Sequence, residues 1–295
     1  MSDLAIKFAP YTDEIFKAES KLALLTNTDF DWSGAHTVKV YKISTADLSD
    51  YGRNVDGTGT IPVSRYGDLL DLSATTEELA LQKDKGFIFN IDKADTDETA
   101  QQLEAASALA RELREVVVPE VDKFVYSTMA TGAGTKAAAA AITKSNVYGK
   151  ILTGSETLDD NEVPDTERVL ICTPAVYNVL KQAVSETAYN NVSEEMRMHG
   201  VVAMIDGMQV IKVPASRLPS GFGFMIAHPS ATVAPVKLED YNIHNDTPLS
   251  SGDVITGRII YGAFVLANKA KGIYYHPIPV SGGSGASGAS GTSGE

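Results

Sequence analysis

The clearest pattern along the chain is a helical spacing of apolar side chains in residues 95–130. They recur every three or four positions, at Leu103, Ala106, Leu109, Ala110, Leu113, Val116 and Val117. Either Asp95 or Thr96 stands where it can cap the start of a helix. Pro119 lacks an amide hydrogen, so the pattern predicts an end or a kink at Val118 and a second helical piece up to Gly132. We therefore predict a long helix in two pieces, together about 50 Å long.

Residues 37–92 have the composition of β-structure. The segment 37–43, TVKVYKI, is rich in β-branched residues and predicts a strand. Residues 76–82 and 87–91 predict a hairpin, with Lys83–Gly86 as its turn. Ser49–Thr60 predicts a polar loop. A two-stranded ribbon is marginal in water, so we expect it to need a partner surface, within the chain or on another chain.

The second half of the chain mixes helices and strands without a regular alternation. The alanine run 137–141 and the residues after it predict a helix that ends near Gly149 or Gly154. Thr173 followed by Pro174 predicts a helix start. Continuous apolar or β-branched runs predict strands at 168–173, 208–213, 222–227, 253–269 and 272–276. These elements together indicate an α+β fold.

The two ends of the chain differ from its middle. Residues 1–36 form an arm in which 11–25 predicts a short helix. The arm is either a terminus packed on its own surface or a segment that docks on a neighbouring subunit. Residues 281–295, SGGSGASGASGTSGE, have no apolar side chain larger than Ala and predict a flexible tail.

Charge and composition exclude several classes of protein. The net charge of the 295 residues is −13, which disfavours a protein that grips nucleic acid. No apolar run approaches the roughly 18 residues of a membrane span, and the first residues do not resemble a signal peptide. The single Cys172 excludes an internal disulfide, and its apolar surroundings predict a buried thiol. These features suit a protein made in the cytosol.

The sequence offers no motif for chemistry. Gly132–Lys136 has neither the order nor the spacing of a phosphate-binding loop. The acidic residues at 92–98 fit a helix start better than a metal site, and 54–57 matches a turn better than a calcium loop. The five histidines lack the spacing of zinc ligands. We therefore predict no catalytic, cofactor-binding or metal-binding residues.

Four strings occur in an order that resembles the major capsid proteins of tailed bacteriophages, with the Hong Kong 97 type fold. They are EVVVPEVD (115–122), RVLICTPAVYNVL (168–180), GMQVIKVP (207–214) and YGAFVLANKAKGIY (261–274). The resemblance covers most of residues 4–276.

The resemblance implies a set of domains along the chain. They are an N-terminal arm (1–36), an extended β-hairpin called the E-loop (37–94), a spine helix with peripheral domain (95–135), an axial domain (136–250), return strands of the peripheral domain (251–280) and a flexible tail (281–295).

The resemblance also implies a function. The chain would assemble, as hexamers and pentamers, into the icosahedral head shell of a virion in the host cytoplasm. It would enclose double-stranded DNA without sequence-specific binding. A separate scaffolding protein, a portal and a decoration protein are the implied partners; no membrane, cofactor or catalysis is implied. An encapsulin-type compartment shell and a small α+β enzyme are the alternatives.

Overall fold

The computed structural model describes residues 20–27, 37–43, 45–51, 66, 71, 74–92, 110–187, 204–245 and 252–279. The chain divides into two units, one of residues 31–81 and one of residues 1–30 with 82–295. Several predicted features lie outside the described residues: most of the arm, the loop at 52–60, the helix start at 95–109, the segment 188–200 and the tail 281–295.

The strands and helices of the described residues are numbered in chain order. The strands are β1 (Thr37–Ile43), β2 (Ala74–Ala80), β3 (Lys83–Asp92), β4 (Thr135–Lys136), β5 (Val169–Cys172), β6 (Met204–Ile205), β7 (Met208–Lys212), β8 (Phe222–Ala227), β9 (Thr232–Val233), β10 (Val236–Asn245), β11 (Gly252–Tyr261), β12 (Phe264–Val265) and β13 (Ile273–Pro277). The α-helices are α1 (Val118–Gly132), α2 (Val147–Asp160) and α3 (Pro174–Thr187).

A six-stranded sheet in the order β4-β13-β8-β5-β7-β6 separates two apolar cores. Side chains alternate across strand β5, so Val169 and Ile171 join the core that contains α1. Leu170 and Cys172 point to the opposite core, which α2 and α3 cover. Both faces of β5 are buried, which explains the continuous apolar run that predicts this strand.

The long helix continues past Pro119. Residues 110–112 are α-helical, Leu113–Val117 form a π-helical turn, and α1 follows directly. The Val118 amide donates to the Leu113 carbonyl, five residues back. A proline cannot supply the usual amide hydrogen to the preceding turn, and the wide turn just before it changes the local bonding without ending the helix. The prediction of a second piece up to Gly132 is confirmed.

The predicted hairpin with its turn at Lys83–Gly86 is wrong. Those four residues belong to β3, which pairs with β11 along its whole length. Strand β2 pairs instead with β1, from Thr37 opposite Ala80 to Ile43 opposite Ala74. The apolar face of β3 packs with Ile255 and Leu113, and this burial outweighs the local turn signal. The ribbon is therefore formed by β1 and β2, joined through residues 44–73.

The predicted helix at the alanine run is also wrong. Residues 137–143 have no helix, and the amides of Ala137 and Ala140 donate to the carbonyls of Tyr275 and Pro277. These hydrogen bonds to the end of the sheet replace the ones that a helix would make, so tertiary contact overrides the propensity of alanine. Helix α2 begins later and continues through Gly149 and Gly154.

Other predictions are confirmed. Strands at 37–43, 169–172, 208–212 and 222–227 match the predicted runs closely, and β11 and β13 confirm strand at 253–261 and 273–276. The predicted strand 253–269 is too long, because Ala267–Gly272 form a 3₁₀ helix. The Thr173 hydroxyl accepts from the Val176 amide at 3.3 Å, as expected of a helix cap. The sequence pattern does not predict strand β10, because its sequence, VKLEDYNIHN, contains too many polar residues.

Candidate assembly surfaces

The β1–β2 ribbon belongs to the smaller unit and carries ion pairs between its strands. The Lys39 ammonium lies 2.6 Å from the Glu78 carboxylate directly opposite, and that of Lys42 lies 2.9 Å from Glu77. These pairs favour one register, although the exposed Lys39–Glu78 pair adds little free energy. Among the described residues no third strand joins the two.

Large apolar side chains of the same unit are exposed. Leu48 is fully exposed, and Tyr66 and Tyr41 are 80% and 73% exposed. The Tyr51 and Tyr66 rings meet edge to face at 5.1 Å, and the Ser49 hydroxyl donates to the Tyr66 carbonyl. Exposed apolar side chains that contact one another, as Tyr51 and Tyr66 do, are typical of surfaces that another molecule covers.

A groove of about 500 Å³ lies in the larger unit, between the long helix and strands β3 and β11. It is lined by Lys85, Gly86, Phe87, Glu112, Glu115, Val116, Val117, Pro119, Glu120, Val121, Lys123, Ser216, Arg217, Ile259 and Tyr261. One carboxylate oxygen of Glu115 is buried without a hydrogen-bond partner among the described residues.

Charged side chains connect strand β3 to its neighbours. The Lys85 ammonium donates to Glu120 of helix α1, and this hydrogen bond raises the pKa of Lys85 and lowers the pKa of Glu120. The Arg258 guanidinium holds the Asp84 carboxylate with two hydrogen bonds, one of 2.9 Å. Lys83 lies 5.4 Å from the centre of the Phe124 ring. Lys83 and Lys85, which the sequence pattern assigns to a turn, thus contact helix α1 from strand β3.

Asp122 is buried on helix α1 and joins this helix to two distant segments of the chain. One of its carboxylate oxygens accepts from Arg217 at 2.6 Å, and the other accepts from the Ser20 hydroxyl at 2.6 Å. Leu25 is fully buried in the adjacent core, and the Asn27 amide donates to the Thr232 carbonyl. Residues 20–27 of the arm are therefore packed on their own subunit.

The residues with chemically reactive side chains or loop motifs lie apart from one another, and their surroundings give them structural roles. Burial raises the pKa of the Cys172 thiol to about 12, so it is a poor nucleophile. The Gly134 amide donates to the Ala270 carbonyl rather than facing a ligand. His228 and His276 are both buried, while His244 is exposed on β10. Among the described residues no cluster of metal-ligating side chains occurs, and no helix is long and apolar enough to cross a membrane.

Comparison with known proteins identifies relatives of the chain. A family model described as phage capsid protein matches residues 74–276. No curated protein sequence matches the chain significantly.

Solved structures match almost the whole length of the chain. A structure from Mycobacterium phage Che8 aligns with a TM-score of 0.77 and 18% identity, covering 93% of this chain and 97% of that one. The capsid structure of cyanophage P-SCSP1u aligns with a TM-score of 0.70 and 14% identity, covering 95% and 94%. A virus-like particle from Pyrococcus furiosus aligns with a TM-score of 0.54 and 11% identity, covering 88% and 92%. The shared feature at these identities is the Hong Kong 97 type fold.

Proposed function

The chain belongs to the phage capsid protein family, and from this premise we propose how its surfaces build an icosahedral head shell. It is a major capsid protein, a structural component of the virion, and it acts as a homo-oligomer. We assign hexamers and pentamers as its capsomers, by the closed symmetry that such shells use. The compartment-shell alternative has less support, because the family model that matches residues 74–276 is described as phage capsid protein.

The proposal rests on the ribbon and the exposed apolar side chains of the smaller unit. In the part of this unit that the structure describes, the ribbon has two strands, and Leu48, Tyr51 and Tyr66 beyond the ribbon are exposed. A two-stranded ribbon with exposed apolar side chains gains stability when a second surface covers it. We assign that surface to a neighbouring copy of the chain, with the ribbon as the part of the E-loop that belongs to the smaller unit.

The remaining assignments follow the family pattern. We keep the boundaries of arm (1–36), E-loop (37–94), spine and peripheral domain (95–135), axial domain (136–250), return strands (251–280) and tail (281–295). The role of the chain is mechanical, without catalysis. Its net charge of −13 suits a shell that encloses DNA without gripping it. A separate scaffolding protein, a portal and a decoration protein are its proposed partners.

The test is assembly of a ribbon variant. We expect the triple substitution Leu48→Ser, Tyr51→Ser and Tyr66→Ser to leave the subunit folded, because Leu48 is fully exposed and the two tyrosines are 48% and 80% exposed. Electron microscopy and sedimentation should show at least a tenfold loss of closed shells when the scaffold is co-expressed. Circular dichroism and thermal melting are the control. Normal shells from this variant, or loss of the fold itself, would contradict the intersubunit role.

A further inference from the structure

The π-helical turn at Leu113–Val117 contains one residue more than a turn of α-helix. Its closing hydrogen bond runs from the Val118 amide to the Leu113 carbonyl, five residues back, whereas an α-helix bonds four residues back. Pro119 follows directly, and in an α-helix its ring would clash with the carbonyl four residues back, that of Glu115. Leu113 and Glu115 themselves favour an α-helix, so Pro119 is the local cause of the wide turn.

Two side chains of this turn are poorly placed in the observed register. One Glu115 carboxylate oxygen is buried without a hydrogen-bond partner among the described residues, and Val116 is 53% exposed. A buried carboxylate oxygen without a donor is costly, and so is an apolar side chain in water. Leu113, in contrast, packs beside Ile91 and Ile255. The observed register is therefore favourable for Leu113 and unfavourable for Glu115 and Val116.

A change to the α-helical register would rearrange these side chains around the groove. The Arg114 carbonyl would accept the hydrogen bond that Leu113 now accepts, so the helix before the turn would shift by one position, about 100° around its axis. Leu113 would take the place of Glu112, which lines the groove. Glu115 would turn towards the exposed position that Arg114 now holds, and Val116 would turn further into the groove. The apolar stem of Arg114 would pack where Leu113 now lies.

We propose that this turn is a register switch of the long helix. In the observed state Leu113 packs beside Ile91 and Ile255, and in the second state it fills the groove of about 500 Å³, which Phe87 and Ile259 line. Leu113 contacts apolar side chains in both states, so the two registers are close in apolar burial and each can be populated. The switch gives one subunit two shapes. Its use in a shell rests on the proposed function, because hexamers and pentamers surround the same subunit with different neighbours.

Disulfide trapping in the unassembled full-length subunit distinguishes the two registers. Leu113→Cys with Ile255→Cys reports the observed register, and Arg114→Cys with Ile255→Cys reports the α-helical one. Under mild oxidation we expect both pairs to link, and the second at least tenfold faster than Val116→Cys with Ile255→Cys, because Val116 faces away from Ile255 in both registers. A second pair that links no faster than this control would overturn the proposal. Ile91→Cys is the alternative partner if Ile255→Cys unfolds the subunit, because Leu113 packs against both.

Pro119→Ala supplies the second measurement. It removes the ring clash and restores a backbone amide, so it should raise the linking rate of the α-helical pair at least tenfold and lower that of the observed pair. Pro174→Ala, at the start of α3, is the matched control and should leave both rates within about twofold. Unchanged rates in Pro119→Ala would overturn the proposal. Neither measurement requires shells, so failure here is distinct from failure of the assembly test.

Discussion

The Asp122 carboxylate and the Arg217 guanidinium form an ion pair of 2.6 Å between side chains that are almost completely buried. The two residues are 95 positions apart in the chain. The pair connects helix α1 to the turn between β7 and β8. The Ser20 hydroxyl also donates to Asp122 and so connects the arm to the same site. A contact between residues so far apart leaves no local signal in the sequence.

Breaking this pair should destabilise the subunit strongly. Arg217→Ala would leave the Asp122 charge buried without its partner, at a cost of about 3–5 kcal/mol in the free energy of unfolding. Urea denaturation of the unassembled subunit measures this. Arg258→Ala removes the partner of the half-exposed Asp84 and is the matched control, with a loss below about 1 kcal/mol. Equal losses of unfolding free energy in the two variants would show that burial does not determine how strongly the Asp122–Arg217 pair stabilises the subunit.

Two glycines of helix α2 should respond oppositely to alanine. A Cβ on Gly154 would lie 2.8 Å from Ile226 and 2.9 Å from Tyr274, whereas nothing lies within 4 Å at Gly149. Gly154→Ala should therefore destabilise by about 1–3 kcal/mol through overpacking. Gly149→Ala should stabilise by up to about 1 kcal/mol through helix propensity. Thermal melting of both variants checks the contrast, and a stabilising Gly154→Ala would refute the close packing.

Stability should fall below neutral pH, in part through His276. Burial lowers the pKa of His276 below its ordinary 6.5, as does Lys150 nearby. The unfolded chain then binds the proton more readily than the folded one, so stability is complete above pH 6.5 and decreases as the pH falls through that value. Urea titrations at pH 7.5, 6.5 and 5.5 should show a shallower decrease in His276→Gln. His244→Gln, at an exposed position, is the control, and an unchanged slope in His276→Gln would contradict the prediction.

The Cys172 thiol should be inert in the native subunit. Burial raises its pKa from 9.0 to about 12, which reduces the thiolate at pH 8 by about a thousandfold. A disulfide reagent such as Ellman's should therefore react with fewer than one tenth of the chains in an hour. In guanidinium chloride one thiol per chain should react at once. Rapid reaction of the native protein would show that the core around β5 opens readily.

The local sequence pattern predicts a helix or strand correctly where residues near in sequence carry its signal. The apolar runs of β5 and β8 are buried on both faces, and Thr173 with Pro174 starts α3 by hydrogen bonding within one turn. The spacing of apolar residues predicts the helical segment from 110 to 132, and four short strings carry the resemblance to the capsid family. Each of these features has a signal in residues that are near in sequence, although the burial of β5 and β8 is completed by distant elements.

Tertiary structure decides what depends on distant partners. Strand β3 does not form the hairpin that its turn residues predict. It pairs instead with β11, some 170 residues later, which buries its apolar face. In the alanine run 137–141, backbone amides donate to the carbonyls of Tyr275 and Pro277, so the run does not form a helix. The groove and its Glu115 oxygen, unpartnered among the described residues, arise only when the helix meets the sheet. Hydrogen bonding and burial between distant segments exceed local preferences of about 1 kcal/mol per residue, so the sequence pattern alone could not reveal them.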